Sequence, residues 1–126
     1  MPEMIVLDTH IWFWFVNGDV DRLPKHHREE IERVERVGIS PVSCFEIALA
    51  RQKGKLALPC ETHIWLEEAL EPAGIELFPL TPSIASRAVG LTQIHKDPFD
   101  RIIIATALEY GAMLSSVEVC LASILN

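Results

Sequence analysis

An α/β fold, with helical layers around a parallel sheet, is predicted by three observations. A short β-type run opens the chain, helical periodicities with their own start and stop residues follow it, and further short apolar runs recur between those helices. Met4 to Leu7 forms the first strand, which ends at Asp8, and Thr9 caps a helix beginning His10-Ile11-Trp12. Asn17-Gly18-Asp19 breaks that helix. Pro24 suits a first helical turn, and Ile31, Val34 and Val37 carry an apolar stripe to Gly38, which predicts a second helix with a solvated charged side. Gly38-Ile39-Ser40 is too short to stand as a strand by itself. It leads through Pro41-Val42-Ser43 into a helical run from Cys44 to Lys53, stopped by Gly54, with Glu46 in its first turns.

Lys55 to Pro59 reads as loop and Glu61 to Glu71 as helix, and Gly74 precedes the alternating strand-type run Ile75-Glu76-Leu77-Phe78. Thr81-Pro82 opens another helix to about Leu91. Asp97-Pro98-Phe99-Asp100 has the grammar of a helix start, with Asp97 as cap and Pro98 in the first position. The nearly all-apolar helix that follows must be buried on most sides. Gly111 ends it, Met113 to Ser115 is a strand, and Glu118 to Leu125 is a final short helix. Nothing suggests a repeat or an internal linker, so residues 1–126 are expected to form one domain.

The apolar share of 49% and charged share of 23% supply a proper core and exclude a disordered chain. Cys44, Cys60 and Cys120 are odd in number and unrelated in spacing, which argues against a disulfide framework or a zinc site and for reduced, buried thiols. The N-terminus lacks a leader pattern and no run approaches the ~18 apolar residues of a membrane helix, so a cytoplasmic protein without a membrane partner is expected. Eighteen acids against eleven Lys and Arg give a net charge of -7, the wrong sign for gripping nucleic acid by general electrostatics. The objection weakens if several of those acids line one metal site, whose cations would offset them.

In an open α/β sheet the ligand crevice lies beyond the carboxyl ends of the strands. Asp8 follows the first strand and Glu118 the last, while Glu46 and Asp100 fall in the first turns of helices entering from the same end. Four carboxylates gathered there repel one another unless a cation sits among them. Mg²⁺ or Mn²⁺ suits such oxygen ligands, activates water for in-line attack on phosphorus and stabilises the leaving oxygen, so phosphodiester hydrolysis is the reaction that fits. Blander readings stand beside this one. Asp8 is also a plausible helix cap, Asp100 a favourable acid at a positive helix end, and Glu118 a surface residue. Glu46, set among Cys44, Phe45, Ile47, Ala48 and Leu49, would otherwise be a solvated face residue.

Five segments together resemble a known family: Ile5-Val6-Leu7-Asp8-Thr9-His10, Ser40 to Ala48, Lys53-Gly54-Lys55-Leu56, Asp97-Pro98-Phe99-Asp100-Arg101 and Ile104-Ala105. Their order and content look like a PIN domain, specifically the VapC-type toxins of bacterial toxin-antitoxin pairs, over nearly the whole chain. The resemblance implies a PIN-like three-layer α/β/α fold with a central parallel sheet of four or five strands. It also implies Mg²⁺- or Mn²⁺-dependent endoribonuclease activity, a homodimer, and a small cognate antitoxin that blocks the site. Position by position, the family's acids fall on Asp8, Glu46 and Asp100, and its late Thr-x-Asp element on Ser116-Val117-Glu118. Asp8, Asp100 and Glu118 are then the expected metal ligands, and Thr9 and Ser116 the supporting hydroxyls. Two departures stand out: Glu118 replaces the usual Asp, adding a methylene, and the sequence stops at Asn126 where relatives often continue into an edge strand.

Arg101, Lys53, Lys55, His95 and Lys96 lie near the acidic motifs in sequence, suited either to hold RNA phosphates or to remain solvated; Arg101 is equally suited to pair with a carboxylate. His10 reads as a helix residue near the site rather than a general base. Trp12, Phe13, Trp14 and Phe15 are consecutive, so one core face cannot take all four; they either meet a partner or belong to a helix wrapped inside the core, whereas Trp65 reads as core. Three functions compete. These are a toxin ribonuclease, a catalytically weakened PIN-like binding module, and an RNA-processing nuclease without an antitoxin.

Overall fold

The β-branched and aliphatic run at the N-terminus forms strand β1 (Met4–Leu7), with Ile5, Val6 and Leu7 essentially inaccessible to solvent. The computed structural model describes residues 3–91 and 97–117. Helices α1 (Thr9–Asn17) and α2 (Lys25–Arg33) follow, then β2 (Arg36–Ile39), α3 (Pro41–Gln52), α4 (Thr62–Glu68) and a 3₁₀ turn (Glu71–Ala73). The chain continues through β3 (Glu76–Leu77), α5 (Pro82–Val89), α6 (Pro98–Tyr110) and β4 (Met113–Ser115). The four strands are parallel and ordered β3-β2-β1-β4. That is the expected parallel sheet between helical layers, with four strands among the described residues; the helix expected over Glu118 to Leu125 lies outside them.

Alternation along β1 sorts the core into two sides. Ile5 and Leu7 join Ile11, Trp12, Ile31, Ile47 and Trp65 on one face, where α1, α2 and α4 pack. Val6 points the other way, onto Phe78, Ile103 and Ala107, and α5 packs along α6 through Ile84, Ala88, Ile104 and Ala105. Five consecutive residues of α6, Ile103 to Ala107, are buried, as its apolar composition required. The aromatic run of α1 is a wrapped helix. Trp12 is fully buried and donates from its indole N–H to the Ala69 carbonyl at 2.9 Å, Phe13 packs on Trp65, and Trp14 and Phe15 pack partly buried against the same core.

Several boundaries differ from the sequence expectation. Helix α2 ends at Arg33, Val34 is already extended, and Val37 and Gly38 lie in β2, paired with Ile5 and Val6 of β1. The spacing of Ile31, Val34 and Val37 mimics a helical stripe, but strand pairing overrides it. Gly38 is there for space: a Cβ on it would stand 2.5 Å from the Phe78 ring and 2.8 Å from the Glu76 carbonyl oxygen. Asp8 rather than Thr9 caps α1, and α3 begins at Pro41 with Ser40 as its cap, because proline suits the first helical position. Helix α4 stops at Glu68, short of Glu71, and Pro72 sits in the 3₁₀ turn beyond it. Helix α5 stops at Val89, two residues before Leu91. Cys44 and Cys60 are free thiols but only half-buried, and Cys120 lies outside the described residues.

Candidate active site

Asp8 stands where β1 ends and α1 begins, a position that gives its carboxylate backbone donors on both sides. The Ile11 N–H donates to Asp8 Oδ1 at 2.8 Å, while the Ser116 hydroxyl and the Val117 N–H donate to Oδ2 at 2.7 and 3.2 Å. Ser116 follows β4, and the Asp8 N–H donates to the Ser115 carbonyl at 2.9 Å, so the side chain ties the carboxyl ends of two neighbouring strands together. At 6% exposure, three donors replace the water that Asp8 loses.

The next residue reaches the third element. Thr9 Oγ1 donates to Glu46 Oε1 and shares a 2.9 Å hydrogen bond with Ser43 Oγ, locking α1 to α3. Ser43 and Glu46 are one helical turn apart, so both face α1. Burial pushes the Glu46 carboxyl above the usual carboxylate range, and the negative charges of Asp97 and Asp8 add to the rise. The Thr9 hydrogen bond and the charge of His10 pull the other way. Asp97, the cap of α6, thus lies within electrostatic reach of Glu46, and Asp100 stands half-buried in the first turn of that helix.

Two recesses flank Glu46. One, of about 130 Å³, is lined by Thr9, His10, Phe13, Glu46, Ile47, Ala50 and Leu56. The other, of about 170 Å³, is lined by Glu46, Leu49, Ala50, Lys53, Lys55 and Phe99, which brings the two lysines beside the acid.

A family model described as the PIN domain matches residues 5–116. The chain belongs to the PIN domain family. Ribonuclease VapC22 of Mycobacterium tuberculosis is 31% identical over 108 residues, covering 85% of this chain and 81% of the relative. Among solved structures, VapBC2 from Rickettsia felis bound to a promoter DNA fragment superposes with a TM-score of 0.61 at 16% identity, over 90% of this chain and 86% of that one. VapC20 of Mycobacterium tuberculosis, a sarcin-ricin loop cleaving toxin, superposes with a TM-score of 0.60 at 16% identity, over 86% of this chain and 84% of that one. At those identities the superpositions show the fold. The VapC-type resemblance read from the motifs therefore holds in sequence and in architecture.

In this PIN domain two hydrogen-bonded sets, Asp8 with Ser116 and Thr9 with Ser43 and Glu46, are joined through the consecutive residues Asp8 and Thr9. Arg101 lines a cleft between α5 and α6 with Ala85, Ala88, Val89, Pro98 and Ile102. His95, Lys96 and Glu118 lie outside the described residues. Among the described residues, no three of His, Cys, Asp and Glu group closely enough to hold a metal ion between them. The donor set nevertheless fits a hard dication in kind: its atoms are carboxylate oxygens, and a cation would offset both the burial that chiefly raises Glu46 and the smaller push of Asp97 and Asp8.

Three neighbours were absent from the sequence reading of the PIN-domain site. Ser43 could have been found from its one-turn spacing to Glu46. Asp97 was read only as a helix cap. His27 carries no sequence signal: its Nδ1 lies 2.8 Å from Ser115 Oγ, and burial, then His26, hold it below the usual histidine value against the opposing pull of Glu30 and Asp8.

Proposed function

We propose that this PIN domain is a divalent-metal-dependent endoribonuclease, the toxin of a toxin-antitoxin pair, acting as a homodimer and neutralised by a small cognate antitoxin. The observation that carries the reading is the Asp8-Thr9-Glu46 arrangement, a fixed carboxylate beside one that burial and Asp97 keep unusually basic. The 31% identity to a ribonuclease supports the substrate class. Asp8, Asp100 and Glu118 would hold Mg²⁺ or Mn²⁺, which when bound supplies activation of water and charge neutralisation at the scissile phosphate.

The chain's own residues do the rest. Glu46, more basic than a surface glutamate, accepts a proton from the attacking water, and Thr9 fixes the orientation of its carboxylate. Three donors hold Asp8 in one rotamer, so it needs little rearrangement to act. Lys53 and Lys55 supply positive charge along the path of the RNA backbone, a local exception to the net charge of -7.

Purified protein in Mg²⁺ or Mn²⁺ should cut RNA, and Asp8→Asn or Asp100→Asn should abolish cutting; undiminished cleavage by either variant would reject the assigned site. Expression of the wild type, but not of Asp8→Asn, should arrest growth, and co-expression of the product of a small adjacent gene should relieve it. A catalytically weakened binding module is the second reading, favoured by the longer arm of Glu118. Calorimetry detecting no Mn²⁺ binding at millimolar concentration would select it.

A further inference from the structure

Phe45 is an anomaly beside the site. It immediately precedes Glu46 on α3 yet is 56% exposed, and its ring meets that of Phe99, which immediately precedes Asp100 on α6, at 5.5 Å between centroids and 54° between planes. Two aromatic side chains at the water boundary, on two different elements, converge next to the carboxylates. Phe99 also lines the 170 Å³ recess with Glu46, Lys53 and Lys55. That volume is below the roughly 300–1,000 Å³ of pockets that enclose whole drug-sized ligands, and suits one ring system. Lys53 and Lys55 are exposed, and neither forms an ion pair among the described residues.

We propose that Phe45 and Phe99, with Lys53 and Lys55, form a subsite that stacks one unpaired base of single-stranded RNA beside the scissile phosphate. The inference rests on the ribonuclease reading above. Its chemistry is that of single-strand grooves, in which aromatic faces take bases and flanking cations follow the backbone. A protein contact fits the composition less well, because lysine is depleted from the cores of protein interfaces. Duplex RNA is a poor occupant, since its bases are stacked internally and offer no free face.

Steady-state cutting of a randomised pool of short single-stranded RNA in Mn²⁺ tests the subsite through KM, with oligomeric state measured in parallel by size exclusion. Phe45→Leu, exposed enough to fold, should raise KM by about 5- to 150-fold, the usual cost of one lost base stack, with kcat little changed. Phe45→Trp should retain the wild-type KM, because the π face remains. Lys53→Ala and Lys55→Ala should each reduce the salt dependence of log KM by about 0.7. If the wild type cuts RNA and Phe45→Leu keeps its KM, the subsite is overturned while the ribonuclease reading stands. If Phe45→Leu loses a wild-type dimer at unaltered KM, the ring is a protein contact and the proposal is likewise overturned. A wild type that cuts no RNA would sink the ribonuclease reading and the subsite with it.

Discussion

Glu46 joins burial, charge and hydrogen bonding in one side chain. Its carboxyl is raised above the usual range by desolvation, helped by Asp97 and Asp8. For a group whose folded pKa is raised, the stabilising contribution is fully present below the unfolded value of 4.5 and is lost as pH rises through the folded value. The Glu46 carboxyl therefore costs the metal-free fold stability as pH rises above that range. Glu46→Gln should raise Tm in EDTA at pH 8 and give no gain at pH 4, while abolishing RNA cutting. Equal Tm values at pH 8 would mean that burying this carboxylate costs the fold nothing. The acid and its position on α3 were legible from the motif around it. Its hydrogen bond to Thr9 was not, because the partners lie 37 residues apart and only the packing of α1 on α3 unites them.

At the scale of elements, the β2 and α1 contacts decide stability. Gly38 passes beneath the Phe78 ring with no room for a methyl group, so Gly38→Ala must displace that ring or separate β2 from β3. A loss of about 1–3 kcal/mol is expected by urea titration, typical of overpacking. A wild-type midpoint would show that the ring moves freely. Trp12→Phe should cost about 1–3 kcal/mol, because it strands the buried Ala69 carbonyl that the indole N–H satisfies. If Trp12→Phe unfolds at the same urea concentration as wild type, that bond contributes nothing net. The strand β2 was the element that sequence periodicity misread. Val37 continues the helical spacing of Ile31 and Val34, and only the pairing of Val37 with Ile5 shows that the chain has become extended.

For the whole molecule, the acidic balance and the site are coupled. An ion that binds the native state alone stabilises it, by about 2.7 kcal/mol when its free concentration is roughly 100 times Kd. Mn²⁺ should therefore raise Tm in wild type, and should do so far less in Asp8→Asn. A thermal scan showing no Mn²⁺ dependence in wild type would remove the ion from this crevice. The two-sided core makes such a site possible: Ile5 and Leu7 anchor one layer and Val6 the other, so the carboxyl end of β1 is held rigidly between them.

By itself the sequence determined the alternation of strand and helix, the helix starts at Asp97-Pro98 and Thr81-Pro82, and the motifs that place this chain among PIN domains. Those features are local, set by periodicity, capping and proline geometry within a few residues. Only the tertiary structure decided that Asp8 is held by the loop after β4, that Thr9 joins Ser43 and Glu46, that His27 lies against Ser115, and that Phe45 meets Phe99. Each of those contacts links residues more than thirty positions apart, and a distance of that kind is fixed by how layers pack, which no short stretch of sequence encodes.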